Sequence, residues 1–137
     1  MPTTELSEGR LRQMYDDFAN GRIDRVADEF DEDILFISHA PRDFFPYLGR
    51  LRGRKAVAQA FSELHEKLQL LIFHPLTILV DGDSAALTIL MQVKDRASGQ
   101  SGSFIAAHFL RFRNDKIADY RGIFDSLDAV QQLTGPA

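Results

Sequence analysis

Near residue 70 the spacing of apolar side chains switches from a helical to a strand period, which makes the chain α+β with its helices first. Upstream, Leu11, Met14, Tyr15 and Phe18 recur at i, i+3, i+4 and i+7 and mark one buried helical stripe, which Asn20-Gly21 ends. Ile23, Val26, Ala27 and Phe30 predict a short second helix with Asp24 as its N-cap. The acidic run Asp31 to Asp33 breaks that pattern, and Ile34 to Ser38 reads as a first strand. Val57, Ala60, Phe61, Leu64 and Leu68 form the stripe of a third helix, from which His65 and Glu66 fall away toward solvent. Downstream, Leu76 to Val80 and Ala85 to Val93 flank Asp81-Gly82-Asp83, a hairpin signal. A looser turn from Arg96 to Gly102 leads into a strand over Ser103 to Arg113, and Asn114-Asp115 turns the chain into Ile117 to Phe124. Ser126 starts a closing helix that Gly135-Pro136 ends. The expected order is three helices, four or five strands and a last short helix.

With 137 residues and no internal repeat, the chain is expected to form one domain over residues 1–137. A domain of that size buries roughly two-thirds of its unfolded surface and needs no staples. Cysteine is absent, which excludes disulfides and thiol chemistry. The net charge is −4 and the 16 basic residues are scattered, so no basic stripe offers itself to a phosphate backbone and no nucleic-acid partner is expected. No apolar stretch approaches the ~20 residues of a membrane helix, and the first ten residues lack the pattern of a secretory signal. The cytoplasm is the expected location. His39, His65, His74 and His108 lie too far apart for a metal-ligand motif, and no glycine-rich phosphate loop is present, so neither metal nor cofactor is expected.

Two segments carry more apolar weight than their type requires. Ala40 to Gly53 holds two prolines and two glycines yet also Phe44, Phe45, Tyr47 and Leu48, so it is either a binding loop or a plug at the end of the core. In Ser103 to Arg113 the even positions are Phe104, Ala106, His108, Leu110 and Phe112, and the odd ones include Ile105, Ala107 and Phe109. A strand apolar on both sides has both faces covered.

The motifs Tyr15 to Gly21, Phe30 to Phe36, Gly49 to Val57, Leu110 to Ile117 and Asp119 to Asp125 occur in this order along nearly the whole chain. The set resembles the ketosteroid isomerase and SnoaL-like branch of the nuclear transport factor two superfamily. The resemblance implies a cone-shaped, curved antiparallel sheet packed against three N-terminal helices, a roll of the ketosteroid isomerase or cystatin type. It also implies an apolar pocket for a small, carbonyl-bearing molecule and a homodimer through the outer sheet face, a partner that would cover the odd side of Ser103 to Arg113. The pocket would be lined by Met14, Tyr15, Phe18, Phe36, Ser38, Phe45, Phe61, Phe104, Ala106, Leu110, Gly122 and Phe124.

His108 falls, on that pattern, where the isomerases carry an aspartic acid that hydrogen-bonds a developing oxyanion and where SnoaL-like cyclases tend to place a histidine. The plainer alternative is a core histidine hydrogen-bonded to a neighbour such as Tyr120. Ser38 takes the place of the isomerases' general-base carboxylate and cannot accept a proton unaided, so His39 or Asp43 would have to serve. Gly122 stands where the cyclases carry their catalytic aspartate. The isomerases' helix-borne tyrosine falls at Met14, with Tyr15 one step and ~100° aside. The known machinery is therefore not reproduced, and the expected catalytic set is His39 as base, aided by Asp43, with His108 and Tyr120 as oxyanion donors for proton transfer beside a carbonyl. The alternatives are a carrier or sensor without turnover, and a protein-interaction module whose pocket is filled by Phe104, Phe112 and Phe124 and which shows an exposed apolar patch.

Overall fold

The computed structural model describes residues 6–39, 45, 47–124 and 126–134. Helix α1 (Glu8–Ala19) begins where the Ser7 side chain accepts the Arg10 N–H at 3.1 Å, and it stops at Asn20 before Gly21, whose φ of 75° continues no helix. Its expected stripe is buried. Helix α2 (Ile23–Ala27) is shorter than expected: Arg22 holds the cap position, Asp24 sits in the first turn, and Phe30 opens a strand. The reason is tertiary, since Phe30 is wholly buried and pairs with Ile117.

Strand β1 (Phe30–Ser38) absorbs the acidic run in an irregularity between Phe30 and Leu35. There the Asp33 N–H turns to the Asp31 carboxylate at 2.9 Å, a local bond that competes with the ladder. The short β2 (Arg50–Arg52) follows, then Gly53 with φ 97°, and then α3 (Arg54–Lys67). Arg54 donates twice to the Phe30 carbonyl, at 2.7 and 2.9 Å, and so fixes α3 to the start of β1. The remaining strands are β3 (Leu68–Asp81), β4 (Ser84–Asp95), β5 (Ser101–Arg113) and β6 (Lys116–Phe124), and α4 (Ser126–Thr134) closes the described chain.

The six strands run β2-β1-β6-β5-β4-β3. All neighbours are antiparallel except β1 and β6, which are parallel, so the sheet is mixed rather than antiparallel. Hairpins fix the polarity of β3 to β6, with Gly82 (φ 60°) in one turn and Asn114 and Asp115 (φ 51° and 69°) in another. No hairpin joins β1 to β6, and most of the domain lies between them.

The sheet packs one face on the helices. Along β5 burial alternates strictly enough that Phe104, Ala106, His108, Leu110 and Phe112 are inside, while Ile105 and Phe109 are 57% and 47% exposed. Arg10 ties α1 to the far turn: its guanidinium reaches Glu29 at 2.7 Å and Asp115 at 2.6 Å and lies 4.7 Å above the centre of the Phe112 ring. His65 departs from expectation. It is half-buried against Phe18 (ring centres 5.1 Å apart) rather than turned to solvent, because α3 packs the end of α1 there.

A buried histidine between two tyrosines

The strand register lines up the inward-facing side chains in rows. One row holds Leu87, His108, Gly122 and Ser38. The row beside it holds Ala85, Leu110, Tyr120 and Phe36, and the row on the other side Ile89, Ala106 and Phe124. Gly122 leaves a notch in the first row, and the His108 ring leans over it. A Cβ built on Gly122 would lie 3.5 Å from His108 Cδ2 and 3.7 Å from Nε2.

On its other edge His108 is held by hydroxyls. Tyr15 Oη lies 2.6 Å from Nδ1, and Tyr120 Oη lies 3.0 Å from Nδ1 and 3.5 Å from Nε2. An oxygen at those two distances cannot lie in the imidazole plane, for it would then overlap the carbon between the nitrogens. Tyr120 therefore sits over the ring face, and Tyr15 is the in-plane partner of Nδ1.

Burial pushes the His108 pKa down to about 3 and pushes both tyrosines up, so at neutral pH all three groups are uncharged. With Tyr15 donating to Nδ1 at 2.6 Å, the neutral imidazole carries its proton on Nε2, the edge that lies beside Gly122 with Tyr120 Oη 3.5 Å away over the ring face.

Around these three residues the described interior is mostly aromatic and closely packed. Tyr15 stacks on Phe73 (5.5 Å), Phe18 meets Phe61 edge-on (4.9 Å), and Phe36 tilts against Tyr120 (4.9 Å). The space left among Met14, Tyr15, Phe18, Val26, Phe30, Phe61, Phe73 and Tyr120 is about 10 Å³, at the lower limit for one water. Toward α4, Phe104 stacks on Phe124 (5.4 Å), which meets Phe45 edge-on (6.3 Å). Among the described residues, the part of the expected pocket between α1 and Tyr120 is closely packed by its own aromatic lining.

The expected site residues divide accordingly. His108, Tyr15 and Tyr120 come together. Met14, Phe18, Phe36, Phe45, Phe61, Phe104, Ala106, Leu110 and Gly122 are buried, Phe124 and Ser38 partly so. Tyr15 reaches His108 despite the one-step offset on α1. His39 is exposed just past β1, where its N–H donates to the Gly122 carbonyl at 2.9 Å. Asp43 lies outside the described residues. Phe73 was not anticipated, because register shifts near Leu71 and Leu76 disrupt the alternation of β3. A groove of about 530 Å³ lies elsewhere, on the outer sheet face, where Leu35, Ile37, Leu79 and Phe109 meet Arg111, Asp119 and Arg121.

A curved mixed sheet wrapped on helices, with its polar cluster inside, is the architecture of proteins like nuclear transport factor two and ketosteroid isomerase. Within that class the SnoaL-like domain model matches residues 11–120, and the chain belongs to that family. Its fold is shared by a protein of Rhodopseudomonas palustris provisionally classed as an isomerase (22% identity, 90% of this chain and 91% of that one, TM-score 0.80). It is shared too by a Catenulispora acidiphila protein with a ketosteroid isomerase-like fold, solved with trimethylamine (11%, 96% and 96%, 0.80). A third likeness is a Mycobacterium tuberculosis epoxide hydrolase (15%, 88% and 83%, 0.71). At these identities the likeness is one of fold. No curated protein matches the sequence.

Proposed function

We propose that the interior receives one small, uncharged, largely apolar molecule whose carbonyl oxygen accepts a hydrogen bond from His108 Nε2. The observation that carries this is a weakly met donor: Nε2 of a neutral imidazole held by two tyrosines meets Tyr120 Oη at 3.5 Å, over the ring face rather than along the N–H. A badly met buried donor costs up to ~1–3 kcal/mol, and a carbonyl over Gly122 would recover part of it. An ion would lose its hydration there with no counter-charge, so the ligand is neutral. The same arrangement suits proton transfer beside that carbonyl. Nε2–H would steady the enolate oxygen, His39 at the end of β1 would take the proton, and Asp43 would assist it.

The macromolecular partner in this proposal is a second copy. Leu79, Ile105, Phe109 and Ile123 are between 41% and 65% exposed on the outer face, and large apolar side chains gathered on one face suit an interaction surface. Arg111, Asp119 and Arg121 among them form no ion pair within the described residues. A two-fold axis on this face would set the arginines of one copy against Asp119 of the other. The filled interior favours a second reading, an interaction module in which only the outer face binds.

Native mass spectrometry of protein purified from its own host, with a panel of cyclic ketones and enones, tests the choice. A bound molecule, or a panel member whose affinity falls at least tenfold in His108→Gln, supports the pocket. Deuterium exchange beside the carbonyl that is lost in His39→Ala adds catalysis. A clean dimer with nothing bound and no panel response transfers the assignment to the interaction module.

A further inference from the structure

On the helix side of Tyr15 and Tyr120 only about 10 Å³ is free, so a ligand reaches His108 from the side of Gly122 and must pass whatever closes that side. The polar cluster lies near one end of the sheet. From His108 and Gly122 the next inward row is Ala106 and Phe124, and the next inward residue of β5 is Phe104. Beyond these rings lies α4. The side chains that separate His108 from that end are therefore the stacked Phe104 and Phe124, with the buried Leu133 of α4 joined to the same core.

The attachment of α4 is unusual. Strand β6 pairs with β5 only from Ala106 onward, so Ser101 to Ile105 have no strand on that side. The Gln132 side chain takes the strand's place. Its Nε2 donates to the Ser103 carbonyl at 2.9 Å, and its Oε1 accepts the Ser103 N–H at 2.6 Å. A primary amide offers the same donor and acceptor as a peptide group, so one side chain imitates one rung of a ladder. Nε2 also donates to Asp128 at 2.8 Å, which holds the amide in the required orientation. Gly102 makes room for this: a Cβ there would lie 3.0 Å from Oε1 and 3.1 Å from Cβ of Gln132. Both hydrogen bonds to Ser103 face solvent, so water can replace them at little cost.

We infer that α4 is the gate of the chamber and that the Gln132 amide, seated on Ser103 over Gly102, is its latch. The inference rests on the proposed ligand pocket. Release of the amide lets α4 swing from the β5 edge, which frees Phe104 and Phe124 to turn and opens a path to His108. Where the latch re-forms over the bound molecule, weakening it should raise entry and exit rates together and leave affinity nearly unchanged.

The absence of cysteine from the chain makes a lock simple to build. Gly102→Cys with Gln132→Cys brings two Cβ atoms to about 3.1 Å, a few tenths of an ångström inside the range of ~3.5–4.5 Å seen in disulfides. The probe is prodan, an uncharged fluorescent naphthyl ketone, mixed by stopped flow with the dimer or monomer as isolated. Hydrogen exchange of the α4 amides is read in parallel and needs no ligand. Gln132→Ala should accelerate α4 exchange and speed prodan entry and exit about fivefold each. The oxidised double-cysteine form should slow entry at least tenfold, and reductant should restore it. Entry unchanged by the lock, or α4 exchange unchanged by Gln132→Ala, overturns the gate while His108-dependent prodan binding leaves the pocket standing. No prodan binding by any form, Gln132→Ala included, overturns the pocket and the gate with it.

Discussion

Mild acid should destabilise this protein before its exposed carboxylates begin to protonate, and His108 should be the main cause. The unfolded histidine titrates at ~6.5, whereas the folded one, sealed between Tyr15 and Tyr120, is pushed down to about 3. Between those values the unfolded chain binds a proton that the folded protein refuses. Stability is therefore complete above pH ~6.5, falls as the pH drops through that value, and goes on falling until pH ~3. One pH unit in this window is worth about 1.4 kcal/mol. The loss reaches roughly 2 kcal/mol by pH 5 and approaches 5 kcal/mol at the acid end. A domain of this size has roughly 5–15 kcal/mol to lose.

Urea unfolding between about pH 7.5 and pH 5 reads the effect above the range where exposed carboxylates matter. The half-buried His65, whose pKa burial also pushes down, acts in the same direction, so His65→Gln is the control that isolates His108. His108→Gln should be less stable at pH 7.5 yet flatter across the window by about 2 kcal/mol. Equal slopes in wild type and His108→Gln would refute the argument. So would an imidazole NMR signal of folded His108 that titrates near 6.5.

The tyrosines should not be equivalent. Tyr15→Phe leaves the in-plane face of Nδ1 without a donor and should cost ~1–3 kcal/mol, whereas Tyr120→Phe leaves that bond intact and should cost less. Equal losses on chemical denaturation would contradict the placement of Tyr120 over the ring. Arg10→Met removes charged hydrogen bonds to Glu29 and Asp115 and should lower stability by roughly 1.5–3 kcal/mol, with faster hydrogen exchange in α1. Phe109→Glu with Ile105→Lys should convert a dimer into a folded monomer by sedimentation, and the wild type alone should melt at a concentration-dependent temperature. A wild type that sediments as a monomer would remove the second copy as the partner.

What the sequence makes legible is what side-chain spacing encodes. The even face of β5 could be read inward because strand alternation is local and nothing interrupts it between Ser103 and Arg113. The Leu11, Met14, Tyr15 and Phe18 stripe was legible for the same reason, and it delivers Tyr15 to His108 although the comparison with isomerases favoured Met14. Long-range facts are not written this way. No spacing says that β1 lies parallel to β6, because their pairing is decided by how the whole domain closes. Phe73 stayed hidden because the bulges in β3 reverse its facing. His65 looked polar on its own helix and became half-buried when α1 packed across it. The filled interior was least legible, since volume depends on rotamers and crossing angles rather than on residue order.

Substituting the whole polar cluster at once separates a histidine kept for stability from one kept for use. A buried hydrogen-bonded set gives little net stabilisation, because folding trades bonds to water for bonds within the protein. Removing one member is costly because it strands the others, but replacing every member by apolar groups of similar shape can be neutral or stabilising. His108→Leu with Tyr15→Phe and Tyr120→Phe should therefore lie within about 1 kcal/mol of wild type at neutral pH, or above it. It should also lose most of the acid sensitivity worked out for His108. Ketone binding should vanish in the same variant. That combination would mean the fold has no need of the cluster, so that a core of phenylalanines carries a neutral imidazole only for what it meets there. A triple variant several kcal/mol less stable than wild type would mean the opposite: the two tyrosines and the histidine are a structural network that positions α1 against β5 and β6, and the case for a carbonyl ligand would lose its main support.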